Sequence, residues 1–471
     1  MTSSQIWLLS SVALYILFML GIGFWTSRRI HNTKDYIVAG GKMGWWFSLG
    51  TIFATWFGAE TCMGASRTAF DKGILGVIAD PFGAGLCLIL AGLFFAKTFH
   101  NLKAETIIDF FEARYGKKVG IALSFLYIPV YLGWVGGQLL AFGIILHALI
   151  GIPVMPAVLL STAVVVLYTY WGGMWADAVT DLYQMIFVLL GLLVLFPILL
   201  HDLGGFSSIV SRIPASYFQF YPRHASGLTW LNYIQAWMMV GIGSLPAQDL
   251  FQRLMAPKSG TMAKWASITA GLMYIVIGLI PVLLGIFGRL AIPASSGESI
   301  LIDLAQKYLP TPLMALMVGA LLSAIMSSAD SALLAPAGII GHNIVPYLKP
   351  DADDALQLKW CHWSILIVGV LSLILALYFR NIYALCMHAW GILLVGVAAP
   401  MIAGVYWKRA TSQGAVAGAV GGTGAWILAT LYWPEGYPAH LFGFVISCLT
   451  LVSVSLLTAP HSEVRSRSRF K

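Results

Sequence analysis

Charge is what this chain has least of. Only 10% of its 471 residues are Asp, Glu, Lys or Arg, against about 25% in a soluble domain. With 59% hydrophobic residues and a mean hydropathy of +0.84, it has too few polar groups to cover a soluble surface. The chain reads as a polytopic membrane protein. Cysteine is scarce too, with five residues at 62, 87, 361, 386 and 448. Their odd number excludes a complete disulfide framework, and their scatter through apolar runs excludes metal-ligand spacing. No HExxH or nucleophile–base motif points to an enzyme. No polar stretch is long enough for a soluble domain; the longest, about 201–227 and 341–359, are loops. The function must lie within the membrane.

A membrane span takes roughly 20 apolar residues. Thirteen candidates follow: 6–26, 45–65, 74–98, 120–149, 153–171, 176–200, 228–250, 263–290, 311–340, 360–379, 382–407, 412–432 and 439–459. The first is longer than a signal-peptide core and lacks a basic start, so it is expected to be retained. If the first loop is cytoplasmic, only Arg67, Lys72, Arg212, Arg223, Arg289, Lys307 and Arg380 of the 27 Lys and Arg fall outside. That asymmetry predicts an N-terminus outside, a C-terminus in the cytoplasm and a plasma (inner) membrane location. The same asymmetry explains the net charge of +8 without a nucleic-acid partner.

The ninth span contains a hydroxyl cluster that lipid does not call for: GALLSAIMSSADSALLAPA, 319–337. Ala324, Ser327 and Ser328 fall at i, i+3 and i+4, on one helix face. Paired hydroxyl oxygens suit a hard cation such as Na⁺. Small and hydroxyl residues also serve close helix packing. Two other spans are interrupted. The second reads SLGTIFATWFGAETCMGAS, with Gly50, Gly58 and Gly64 around Glu60. The seventh reads WMMVGIGSLPAQDLFQR, with Gly241, Gly243 and Pro246. Freed backbone groups in a bilayer are tolerated where protein or a water-filled cavity satisfies them. The two breaks lie five spans apart, so their helices run in opposite directions, as in an inverted repeat with its site at the midplane. Close packing of glycine-rich helices is the competing explanation.

Four motifs bring these features together. They are DYIVAGGKMGWW (35–46), FATWFGAETCMG (53–64), WGGMWADAVTDLYQ (171–184) and GALLSAIMSSADSALLA (319–335). The chain resembles the sodium:solute symporter family, which has the leucine-transporter type of fold. The resemblance implies one transmembrane domain over 1–460, with a peripheral first span (1–30), repeats at 45–200 and 228–407, peripheral spans at 412–460 and a tail at 461–471. It implies a sodium-coupled symporter of a small polar solute, with Na⁺ as coupling ion and no organic cofactor. The implied Na⁺ ligands are the carbonyls of Ala54, Phe57 and Ala324 and the hydroxyls of Ser327 and Ser328. Asp181 is implied to lie on the sodium path, and Asp330 is expected to be a cap or gate. A solute sensor built on a symporter-like core is the alternative.

ATWFG (54–58), LAGLFFAK (90–97), ARYGKKVG (113–120) and GSLPAQDLFQR (243–253) resemble the choline-transporter branch of the family. Aromatic faces bind quaternary ammonium, which makes Trp56, Tyr131, Trp134 and Trp237 candidates. Ala247 stands where that branch has a tryptophan. Met387 and His388 stand near the expected aromatic of span 11, with Trp390 displaced, so the cage is expected to be incomplete. Glu60 and Asp80 are acids within spans, where ionisable groups are usually functional. Glu60-Thr61 resembles an acid–amide pair of sugar transporters, with Thr replacing the amide. Asp80 is expected to meet a cationic amine or to pair with a basic residue from an outer loop. Gln138, Ser244, Gln248 and His388 are further polar candidates. A quaternary amine, an amino-acid-like solute and a sugar all stay open.

Overall fold

The computed structural model describes residues 3–28, 30–223, 226–293, 299–379 and 381–459. Arg29, Arg380 and the tail at 461–471, with its basic residues, lie outside the described residues. The described chain is helical, and its long helices are α1 (Ser3–Ser27), α4 (Ile74–Leu102), α6 (Lys117–Ile150), α7 (Val154–Asp202), α10 (Gly260–Ala291), α11 (Thr311–Gly338), α12 (Asp354–Tyr378), α13 (Ile382–Tyr406), α14 (Ser412–Tyr432) and α15 (Ala439–Leu457). Between them lie α2 (Trp45–Trp56), α3 (Ala65–Lys72), α5 (Ile107–Tyr115), α8 (Gly227–Gly241) and α9 (Gln248–Met255). Among the described residues, ten helices are long and apolar enough to cross a membrane. Three of the thirteen sequence segments are not among them: 45–65 and 228–250 because they are interrupted, and 153–171 because its apolar part is short.

Side-chain caps set several helix starts. Ser226, Ser259, Asn381 and Thr411 accept N–H groups of the first turns of α8, α10, α13 and α14, and each such cap contributes about 1 kcal/mol. Thr106 and Asp109 form a reciprocal box at α5. Within α7 the backbone turns at Gly173, at φ 55° and ψ −178°. A Cβ there would lie 2.7 Å from the Tyr36 ring, so glycine is required twice over. The turn separates the two sequence-predicted spans 153–171 and 176–200.

Both expected breaks are present. α2 stops at Trp56, Phe57 leaves helical geometry at φ −85° and ψ 66°, and helix resumes as a π turn at Glu60. α8 ends at Gly241 and α9 starts at Gln248, with Pro246 in the turn between. α2 packs on α7, α10 and α11, and α9 packs on α10 and α11, so both breaks sit inside the bundle. α14 and α15 pair mainly with each other. α1 packs on α7 and α11, where the Tyr15 hydroxyl lies 2.7 Å from Ser323 Oγ.

Candidate functional site

Glu60, Asp80, Asp177, Asp181, Asp249 and Asp330 are buried in the bundle, together with Arg253. Unpaired charge in such a place costs several kcal/mol, so the partners of these groups determine the chemistry. They fall into two constellations with a bridge between them.

The first lies where α11 crosses the end of α2. Ser327 and Thr51 donate to the two oxygens of Asp181, at 2.5 and 2.6 Å. Ser328 donates to the Thr55 carbonyl at 2.7 Å. Ala54, Phe57 and Ala324 are buried. A Cβ on Gly58 would lie 2.5 Å from Ser328 Oγ, so this glycine lets the broken helix approach the serine. Carboxylate oxygens of Asp177, Asp181 and Asp330 lie within 4.8 Å of one another. A crevice lined by Thr169, Gly172, Gly173, Ala176, Asp177, Asp330 and Leu334 reaches two of these acids. Asp330 lies inside α11 and accepts the N–H of Ser331 at 2.8 Å.

The second is a small pocket lined by Trp56, Glu60, Asp80, Ala84, Trp134, Val240, Tyr274, Met387 and Trp390. The Trp134 indole donates to Glu60 Oε1 at 2.9 Å, and the Gln138 amide donates to Oε2 at 2.6 Å. Gln138 Oε1 accepts the Ala59 N–H exposed by the break, at 2.9 Å. Thr61 donates to Asp80 at 2.9 Å, and Tyr274 OH lies 2.5 Å from the Trp56 carbonyl and 3.1 Å from Asp80. Asp80 is therefore held by hydroxyls, and no described basic side chain forms an ion pair with it or with Glu60. The outer-loop ion pair expected as an alternative for Asp80 is not formed among the described residues, and Arg380 lies outside them. Trp390 packs against Trp134 and Trp56, with ring centroids 4.7 and 5.7 Å apart. Two residues after His388, about 200° further round α13, Trp390 reaches the pocket lining. The rings are too close together to admit a cation between them.

A bridge on α9 joins the two. Asp249 accepts the Trp56 indole at 2.8 Å and the Tyr131 hydroxyl at 2.7 Å. One turn later the fully buried Arg253 donates to the Asp177 carboxylate, to the Thr55 and Ser331 hydroxyls, and to the Asp249 carbonyl. Asp177, Asp249, Arg253 and Tyr274 were missed in the sequence. The signal was present for Asp249 and Arg253, because QDLFQR places an acid and a base at i and i+4 beside a break.

Four candidates fall elsewhere. Trp237 packs with Phe220 and Tyr233, at centroid distances of 5.9 and 6.5 Å, in an aromatic layer that includes Phe82. Gln248 accepts the Ile107 N–H of α5 at 2.7 Å. His388 is exposed, its ring 5.8 Å from that of His440. Ser244 is buried without a hydrogen-bond partner among the described residues. None of the four is among the residues lining the pocket.

The model of the sodium:solute symporter family matches residues 36–422. The chain belongs to this family. It is 28% identical over 442 residues to a high-affinity choline transporter of Caenorhabditis elegans, covering 87% of this chain and 75% of the relative. It is 24% identical to a sodium/glucose cotransporter of Vibrio parahaemolyticus, covering 94% and 90%. A solved Na⁺-coupled sialic acid symporter, in a substrate-bound outward-open state, superposes with a TM-score of 0.82 over 96% of this chain and 98% of that one, at 20% identity. These relatives are transporters and not enzymes, and the sensor alternative finds no support among them. For this symporter-family member, the hydroxyl–carboxylate constellation and the acid-and-tryptophan pocket meet at the break of one helix, where a Cβ on Gly58 would lie 2.5 Å from Ser328 Oγ and 2.8 Å from Glu60 Oε2.

Proposed function

We propose that the chain couples Na⁺ entry to import of a small organic amine, quaternary or protonated. One observation carries the choice: Glu60 and Asp80 face a tryptophan-lined pocket with no basic residue among the described residues to neutralise them. A cationic substrate supplies the missing charge, and the faces of Trp56, Trp134 and Trp390 supply cation–π attraction. With its rings in contact the pocket is closed, so substrate entry requires Trp390 or Trp134 to withdraw. The engagement of Thr61 by Asp80 and Tyr274 leaves it poorly placed to serve a sugar hydroxyl.

Sodium is cargo in this reading. The carbonyls of Ala54, Phe57 and Ala324 and the hydroxyls of Ser327 and Ser328 are its ligands, and Asp181 receives it on the way through. All are oxygens, as a hard cation requires. The Asp249–Arg253 bridge couples the sites: a cation among the serines changes what Arg253 must neutralise, and Asp249 carries that change to Trp56. Coupling needs only that both ligands prefer the same state. The membrane potential adds about 2.3 kcal/mol per charge per 100 mV. The topology that fits has thirteen spans, with the interrupted α2/α3 and α8/α9 pairs and the first part of α7 also crossing. The inverted repeats occupy 45–200 and 228–407 of a single domain. The N-terminus lies outside, and the protein sits in the plasma membrane.

The test is uptake into proteoliposomes under an inward Na⁺ gradient, against choline, betaine, proline, sugars and carboxylates. Sodium-driven uptake of an amine, lost in Asp80→Asn, is the expected result. Sodium-driven uptake of a neutral sugar that survives both Asp80→Asn and Glu60→Gln would refute the amine assignment.

A further inference from the structure

A third cleft belongs to neither constellation. It has a volume of about 1150 Å³ and is lined by Lys34, Val38, Gly40, Gly41, His100, Asn101, Leu102, Lys103, Ala104, and Met255 with Lys258 to Gly260. It sits where the lead into α2, the end of α4 and the α9–α10 turn meet. The Gly40–Met43 segment beside it is tied to the residues just after α9 by Met43 N–H to the Ala256 carbonyl at 2.9 Å, and Lys258 N–H returns to the Met43 carbonyl at 3.1 Å. A Cβ on Gly260 would lie 3.4 Å from Lys97 Cα and His100 Cβ, so this end of α10 packs closely on the end of α4. The walls are thus fixed by backbone contacts.

The chemistry of the lining is of one sign. Lys34, Lys103 and Lys258 are exposed, and none has an ion-pair partner among the described residues. No Asp or Glu lines the cleft. Two carboxylates border the cleft and are outnumbered by its lysines: Asp35 accepts the His31 N–H at 3.4 Å with its Oδ1 3.0 Å from where a Cβ on Gly40 would sit, and Glu105 interacts with Lys34. His100 Nδ1 is held 3.3 Å from the Leu254 carbonyl. The cleft also receives the N-terminus of α10, a 32-residue helix whose first turn begins at Gly260. Ser259 Oγ takes the Met262 N–H, and the first N–H groups ahead of it have no intrahelical acceptor. Three ammonium groups and a helix N-terminus around one opening favour a phosphate group.

Exposed aromatic residues beside the cleft select between sources of that phosphate. Trp46 in the first turn of α2 and Trp265 in the second turn of α10 are 66% and 53% exposed. Lys264 lies 5.4 Å from the Trp265 ring. Exposed tryptophans beside lysines mark the headgroup level of a membrane. We propose that this cleft binds the phosphate of an anionic lipid headgroup, which fastens the base of α2, α4 and the α9–α10 turn together. This proposal rests on membrane placement and is independent of the sodium and amine assignments.

The test uses the full chain in detergent, with retained lipid read by native mass spectrometry. Phosphatidylglycerol and phosphatidylcholine are offered separately, each with and without inorganic phosphate or glycerol phosphate as competitor. The wild type is expected to retain phosphatidylglycerol over phosphatidylcholine. Each lysine at a charged membrane surface is worth about fivefold in affinity, so Lys34→Gln/Lys103→Gln/Lys258→Gln lowers retention about 100-fold. The corresponding triple Lys→Arg variant retains the lipid, as does the control Lys349→Gln/Lys359→Gln. Equal retention by wild type and the triple Gln variant overturns the site, and so does equal retention of the two lipids. Displacement by soluble phosphate at equal concentration overturns the lipid assignment in favour of a free anion.

Discussion

Removing both hydroxyls of the serine pair, in Ser327→Ala/Ser328→Ala, separates sodium coupling from fold. In the structure Ser327 satisfies one oxygen of Asp181 and Ser328 satisfies the Thr55 carbonyl. All four residues are buried. Without sodium the substitution loses two hydrogen bonds, each worth about 1 kcal/mol net, and the protein still folds because Thr51 continues to bond Asp181. With sodium it loses two of five proposed ligand oxygens. Taking about 1.5 kcal/mol for each contact to a charged group, the loss is about 3 kcal/mol. That corresponds to a rise in the half-saturating Na⁺ concentration of about 100-fold. The assay is initial uptake into proteoliposomes as a function of external Na⁺, with choline as the first cargo tested. Thermal unfolding of the same preparation verifies the fold. A half-saturating concentration within threefold of wild type, in a folded double variant, refutes the site.

Three further outcomes follow from the geometry. Arg253→Met leaves Asp177 buried without its cation, and is expected to cost about 3–5 kcal/mol in thermal or denaturant unfolding; adding Asp177→Asn recovers part of the loss, and additive effects in that cycle would disprove the ion pair's role. Gly58→Ala places a methyl against Ser328 and should abolish Na⁺ stimulation of uptake, whereas Gly424→Ala, with nothing within 4 Å, should leave it unchanged. Asp109 lies at the start of α5, where burial raises its carboxyl but the hydrogen bond and charge of His342, with the N–H groups of Thr106 and Glu105, outweigh burial and hold it below its ordinary value of 3.8. A carboxylate depressed on folding stabilises above its unfolded pKa and loses that contribution as pH falls through the folded one. Unfolding midpoints of wild type and Asp109→Asn should therefore differ near pH 7 and converge below pH 3.8; a pH-independent difference would show that Asp109 acts only through its cap.

Composition and local pattern reached far into this protein. Low charge and long apolar runs defined the class, since a bilayer demands apolar surface and internal backbone hydrogen bonds. The glycines and Pro246 marked both breaks, because helix interruption is a property of a few neighbouring residues. The serine face of α11 was readable from 3.6-residue periodicity. Trp56, Glu60, Asp80 and Trp134 were readable as polar or aromatic residues out of place in lipid.

What tertiary structure alone decided is who meets whom. The i, i+3, i+4 rule puts Ser327 and Ser328 on one face, but only packing gives Ser327 the Asp181 carboxylate, 146 residues away, and Ser328 the Thr55 carbonyl, 273 residues away. Helix rotation carried His388 outward and Trp390 inward, a difference of two residues and about 200° around α13. Asp80 could equally have met a cation or a hydroxyl, and its partners came from α10 and the broken helix. Local sequence sets which groups are costly to bury; the long-range fold selects which partner offsets each cost.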